Sequence, residues 1–110
     1  MKPVKWVGTS KHDIADFPDD ARREAGNQLF LVQSGVALRD WNPMPAVGAG
    51  VNEIRVQAGG QWRVLYVAKF GDAVYVLHAF GKKTQRTAKT DIQTATKRYA
   101  ELVAALKSKK

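Results

Sequence analysis

Hydrophobic and polar positions change period along this chain. Between Val51 and Phe80 apolar residues recur with a period of two in short runs, as in strands. In the first run, Val51–Gln57, residues Glu53, Arg55 and Gln57 share one face, and Asn52, Ile54 and Val56 share the other. In the second, Gln61–Lys69, residues Trp62, Val64 and Tyr66 oppose Arg63, Leu65, Val67 and Lys69. The third, Ala73–Phe80, is almost wholly apolar, which predicts a covered, interior strand. Its alternation puts His78 on the face of Val74 and Val76. The links between these runs are short and glycine-rich, so they predict an antiparallel meander.

Before the meander the period is helical. Ala21, Ala25, Leu29 and Val32 form an apolar stripe opened by Pro18 and closed at Gly35. A shorter helix, capped by Ser10 and running from His12 to Phe17, precedes it. Residues 3–8 read as a first strand, and residues 35–49, rich in proline and glycine, as a loop packed down by Trp41 and Met44. After the meander, Ile92, Ala95, Tyr99, Leu102, Val103 and Leu106 repeat at helical spacing over about 88–107, with Thr90 and Gln93 spaced as a capping box. The order β-α-α-β-β-β-α predicts one α+β domain over residues 1–110: an antiparallel sheet with its helices on one face and part of the other face free. No run is apolar and long enough to cross a bilayer or act as a signal peptide, which predicts a cytoplasmic protein without a membrane partner.

Charge sharpens this picture. The net charge of +8 is confined to one half: residues 1–50 hold six basic and six acidic side chains, whereas residues 51–110 hold twelve and four. A basic tail at about 107–110 accounts for only part of the excess, because removing Lys107, Lys109 and Lys110 leaves +5. A basic second half points to an anionic partner, nucleic acid before others.

The chemical inventory is short. The chain has no cysteine, and its two histidines, His12 and His78, lack neighbours at ligand spacing, so no metal site or cofactor is predicted. Nothing is arranged as a Ser-His-Asp triad or a phosphate-binding glycine loop. What the hairpin does bring together is Arg55 and Arg63, on adjacent strands. Facing one side, they would clamp a phosphate and offset charge in a pentavalent transition state. The plain alternative is that Arg55 pairs with Glu53 and Arg63 is a rim charge. His78 reads first as a buried structural histidine and second as an acid or base.

Three stretches together resemble a known family. Gly50-Val51-Asn52-Glu53-Ile54-Arg55, Trp62-Arg63-Val64-Leu65-Tyr66 and Val74-Tyr75-Val76-Leu77-His78-Ala79-Phe80-Gly81-Lys82-Lys83 are similar to the phage-derived, HigB-like branch of the RelE/ParE toxin superfamily. Asp13–Pro18 and Lys83–Thr87 fit the same branch, and the likeness spans about residues 4–103. The resemblance implies a compact RelE-like microbial RNase fold and the toxin of a type II toxin–antitoxin system. It implies ribosome-dependent, metal-independent cleavage of mRNA, leaving a 2′,3′-cyclic phosphate and blocking translation. The implied partners are mRNA on the ribosome and a cognate antitoxin, a small helix-turn-helix protein. By position it gives Arg55, Arg63 and Lys83 to catalysis, with His78 as a default acid or base. Lys82 and Arg86 would then hold flanking RNA, and Lys69, on the strand face of Arg63, is a further candidate for RNA binding. Glu53 stands where RelE-type members carry a second lysine, Ala88 replaces a common proline, and Tyr99 is no counterpart of the tyrosine some members use. Related ParE-like proteins inhibit DNA gyrase without cleaving anything, and a non-catalytic RNA- or ribosome-binding module is a third reading.

Overall fold

A computed structural model describes residues 1–38 and 40–108. Arg39, and Lys109 and Lys110 of the basic tail, lie outside the described residues. The elements run β1 (Val4–Trp6), α1 (Ser10–Ala15), α2 (Asp19–Gln33), β2 (Trp41–Pro43), β3 (Val51–Gln57), β4 (Gln61–Val67), β5 (Val74–Gly81) and α3 (Lys89–Lys107). They form an α+β domain on a five-stranded sheet of order β1-β5-β4-β3-β2.

Two features correct the sequence-based architecture. The sheet is mixed, because β1 runs parallel to β5, pairing Val4 with Val74 and Trp6 with Val76. Both faces carry helices: α1 and α2 cover one, α3 the other. The reason is visible in the strands themselves. In β4 and β5 residues of both parities are apolar and buried, so each face needs a cover. Val64, Val74 and Val76 join Ile14, Phe17, Ala25 and Leu29 under α1 and α2. Leu65, Val67, Tyr75 and Leu77 meet Ala95 and Leu102 of α3. The apolar β5 is interior, as expected, between β1 and β4.

The 35–49 segment is not all loop. Trp41–Pro43 pairs with Asn52–Ile54 as an edge strand, too short and proline-bearing to stand out in the sequence. Trp41 is about half exposed, so Met44 rather than Trp41 ties this segment to the α3 face. Ser10 does not cap α1 from outside. It lies within the first turn, fully buried, and its Oγ donates to the Val76 carbonyl at 2.9 Å while accepting from the Val7 amide. Helix α3 begins one residue before Thr90, with Ala88 at its N-cap, so the Thr90–Gln93 spacing makes no capping box.

Candidate nucleic-acid interface

The β3–β4 hairpin turns through Gly59 and Gly60, both at positive φ, and sets the register Arg55↔Arg63. Both arginines therefore stand on the α3 face of the sheet. Helix α3 covers Val51, Leu65 and Val67 together with β5 on that face, and the polar groups Glu53, Arg55 and Arg63 lie outside this apolar cluster. Arg63 is 7% exposed and Glu53, two residues before Arg55, is 2% exposed. Their geometry is a shared anion: Arg55 Nε donates to Glu53 Oε1 at 3.2 Å, and Arg63 Nε lies 3.7 Å from the same oxygen. The second contact is an ion pair without a hydrogen bond, and Glu53 Oε2 and Arg63 Nε are both buried without a hydrogen-bond partner. The Arg63 fork is spread, with Nη1 donating to the Trp62 carbonyl at 2.9 Å and to Gln61 at 3.4 Å.

Beyond this pair the two arginines diverge. Arg63 opens into a groove of about 500 Å³ that it lines with Gln61, Lys82, Lys83 and Thr84. Among the described residues no carboxylate lines that groove. Arg55 lies 3.6 Å from Asp40 and lines a separate groove with Asp20, Glu24 and Asp40. The structure thus brings Arg63, Lys82 and Lys83 together. It sets Arg55 beside them through Glu53, facing an acidic neighbour. Arg86 stands on the far side of the 82–86 loop, in a smaller pocket with Phe80 and Asp91. Thr84 Oγ donates to the Arg86 carbonyl, and the Lys82 amide donates to the Gln61 carbonyl, which ties the loop to the hairpin. Among the described residues, Lys82, Lys83 and Arg86 have no carboxylate within ion-pair distance.

Lys69 is not part of this interface. It lies six residues beyond Arg63 along the same strand direction, roughly 20 Å away. There its ammonium sits 5.2 Å from the Phe70 ring and 5.9 Å from the Tyr99 ring. The equal parity of Arg63 and Lys69 places them on one face but at opposite ends of it.

His78 is on the opposite face from the one its alternation predicts. The β4–β5 register passes from Leu65↔His78 to Tyr66↔Val76, so Leu77 is an extra residue in a bulge. The bulge turns Leu77 and His78 both toward α3. His78 Nε2 donates to Asp91 Oδ1 at 2.8 Å, so Nε2 carries a proton, since a carboxylate only accepts. Nδ1 faces Arg98 Nη1 at 3.4 Å and Asp13 Oδ2 at 3.5 Å. Arg98 also donates to Asp13 at 3.1 Å, the Leu77 carbonyl at 2.9 Å and Thr9 at 2.8 Å. The ring stacks on Phe80, 5.1 Å between centroids and 25° between planes. Both ring nitrogens are therefore turned to protein groups from α1 and α3. Neighbours that the sequence keeps far apart supply this histidine's partners. Among the described residues no three His, Cys, Asp or Glu side chains form a group that could hold a metal. No helix among them is long and apolar enough to cross a membrane.

Glu53 pairs with Arg55, as the plain alternative read from the sequence had it, but its sharing with Arg63 was not expected, and Asp91 and Arg98 were not singled out as members of the site. For Glu53 a signal existed: its i, i+2 spacing from Arg55 on a strand. For Asp91 and Arg98 none did, because their partners lie on α1 and β5.

Residues 12–100 match the family described as phage-derived, Gp49-like proteins. Among solved structures, a chain of the toxin–antitoxin complex RelBE2 from Mycobacterium tuberculosis superposes with a TM-score of 0.52 at 20% identity. The match covers 74% of this chain and 98% of that one. That likeness is one of fold. No curated protein matches the sequence.

Proposed function

The chain belongs to the family of phage-derived Gp49-like proteins, and on that premise we propose that it is the toxin of a type II toxin–antitoxin system. Its activity is ribosome-dependent, metal-independent cleavage of mRNA, as in the HigB-like branch of the RelE/ParE superfamily. The observation that carries this reading is the groove in which Arg63, Lys82 and Lys83 converge with no carboxylate on its wall among the described residues. Two lysines without ion-pair partners among the described residues, beside an arginine that shares its one carboxylate with Arg55, make a seat for a polyanionic backbone. The partner is a small helix-turn-helix antitoxin and the setting is the cytoplasm, a reading supported by the fold shared with a chain of a toxin–antitoxin complex.

In the reaction the ribose 2′-oxygen attacks the adjacent phosphorus. The 2′-O–P bond forms as the P–O5′ bond breaks, leaving a 2′,3′-cyclic phosphate and a 5′-hydroxyl. The proton lost from the 2′-oxygen is balanced by one gained at O5′. Arginine stays protonated, so Arg63 serves by holding non-bridging oxygens and offsetting the added charge. Lys83, on the same groove, stands as the donor for the leaving oxygen, and Lys82 and Arg86 hold flanking phosphates. Arg55 acts through Glu53, which fixes the angle of both guanidiniums. His78 orients Asp91 and backs Phe80, a positioning role suited to a ring with both nitrogens engaged.

Induction in growing cells followed by primer extension tests the proposal. New 5′ ends confined to translated messages are expected, and Lys83→Ala should suppress them. Intact messages with altered DNA supercoiling would replace it with gyrase inhibition. Arrest without new ends in either RNA or DNA would leave a non-catalytic ribosome-binding module.

A further inference from the structure

The pocket on the far side of the basic loop is about 240 Å³ in volume, smaller and more sheltered than the groove that holds Arg63. It falls just below the roughly 300–1,000 Å³ of pockets for drug-sized ligands, and suits one flat ring system. Its lining is mixed in an informative way. Phe80 and Ala88 supply apolar surface, Lys82 and Arg86 supply cations, and Asp91 is its one carboxylate. A simple phosphate seat would not include that carboxylate. A base-reading pocket would, because single-stranded RNA is recognised by stacking on aromatic or guanidinium planes and by hydrogen bonds to base edges.

We propose that this pocket is a guanine-reading subsite beside the cleavage groove, with Asp91 as the specificity-determining residue; the inference rests on the RNA-cleaving function proposed above. Asp91 is held for the task. His78 Nε2 fixes its Oδ1 at 2.8 Å, and the carboxylate keeps about a quarter of its side-chain surface exposed. Its Oδ2 takes no hydrogen bond from the described residues, which leaves a fixed acceptor at the pocket wall. Guanine is the base that presents two adjacent donors, N1–H and the 2-amino group, on its Watson–Crick edge. A carboxylate is the matching pair of acceptors. Adenine and cytosine each offer one donor beside an acceptor, and that acceptor would face the carboxylate's lone pairs. Arg86, exposed and without an ion-pair partner among the described residues, is placed to lie over the base or to meet its phosphate. The 82–86 loop separates this pocket from the groove of Arg63, with Lys82 and Lys83 lining both. A strand seated on Arg63 therefore reaches the pocket with the neighbouring nucleotide.

The test uses the full chain and fluorescent oligouridylate octamers that carry a single central guanine, inosine, adenine or cytosine. Anisotropy titrations should show the guanine octamer binding about tenfold more tightly than the adenine or cytosine octamers, within the range expected of a good bidentate contact. Inosine keeps N1–H and lacks the 2-amino group, so its affinity should fall between. Asp91→Asn retains an acceptor for His78 but converts one acceptor into a donor, and should erase the preference for guanine. Because the base series is run on the unaltered protein, a variant that folds poorly does not spoil the result. Equal affinity for all four octamers would overturn the subsite while leaving RNA binding in place, and would fit a pocket that receives an apolar side chain of a protein partner instead. Failure to bind any octamer at low salt would overturn the subsite, and, joined to intact messages after induction, the RNA-cleaving reading beneath it.

Discussion

At the scale of the residue, Arg63 does two things at once. It lines the basic groove, and it is one of two cations beside a carboxylate that is 2% exposed. Removing one partner of a buried ion pair costs roughly 3–5 kcal/mol. Arg55 still faces Glu53, so Arg63→Ala should cost about 3 kcal/mol in urea denaturation. Cleavage should fall by about two to three orders of magnitude, the usual cost of losing one transition-state donor. The effects separate in the double variant Arg63→Gln with Glu53→Gln, which should recover most of the stability and none of the cleavage. Arg63→Lys should rescue poorly, because an ammonium has no fork with which to bridge two oxygens. Tyr66 gives a pH-dependent prediction. Burial raises its phenol above the ordinary value of 10.0, and the side chain of Asn52 opposes the shift only in part. A raised acid pKa means that the folded state favours the neutral phenol. That contribution is whole below pH 10 and is lost as pH rises through the folded value. Melting temperatures measured from about pH 9 to 11 should fall more steeply for the parent than for Tyr66→Phe. The Arg55–Arg63 pairing was legible because Gly59-Gly60 fixes the turn and the alternation fixes the face. Their divergence into two grooves was not, since Asp20, Glu24 and Asp40 reach Arg55 only through the tertiary fold.

At the scale of the element, α3 is pinned at two points. His78 and Arg98 tie it to β5 and α1, and Tyr99 donates to the Ala49 carbonyl at 2.9 Å. Next to that bond, a methyl group at Gly48 would meet the Tyr99 ring at 2.5 Å, so Gly48→Ala should displace the ring. A destabilisation of about 1–3 kcal/mol is expected, as for other overpacked sites. His78→Ala removes the first pin and strands Asp91. Amide exchange should accelerate across 89–95 while residues 61–67 keep their protection. Uniform loss of protection would mean that the histidine holds the whole core rather than one helix. The face of His78 could not be read from the sequence. Tyr75-Val76-Leu77-His78 is apolar at both parities, so a one-residue bulge leaves no mark in the pattern. The cover on the second face was missed, although that same doubled apolarity demands a helix on each side. Strand β2 was hidden by its three-residue length and by Pro43.

At the scale of the molecule, the basic excess is organised rather than spread. Lys82, Lys83 and Arg86 cluster on one loop, Arg63 meets it from the hairpin, and Asp20, Glu24 and Asp40 of the first half line the separate groove of Arg55. If Arg63, Lys82, Lys83 and Arg86 each neutralise one phosphate, RNA affinity should fall with salt at a log–log slope of about −2.8, at roughly −0.7 per contact. Deleting the last four residues should leave that slope nearly unchanged, whereas Lys82→Ala with Lys83→Ala should reduce it by about 1.4. The parallel pairing of β1 with β5 has a bearing on timing. Val4 must wait for Val74, so the outer strand cannot dock until most of the chain has left the ribosome. Closing so long a loop is slow and comes late. A nascent chain that stops before β5 has neither the strand that both helical layers pack against nor the loop that carries the cations. For a protein proposed to attack translating ribosomes, the order of synthesis then acts as a safeguard: an unfinished copy on its own ribosome has no assembled groove with which to cut.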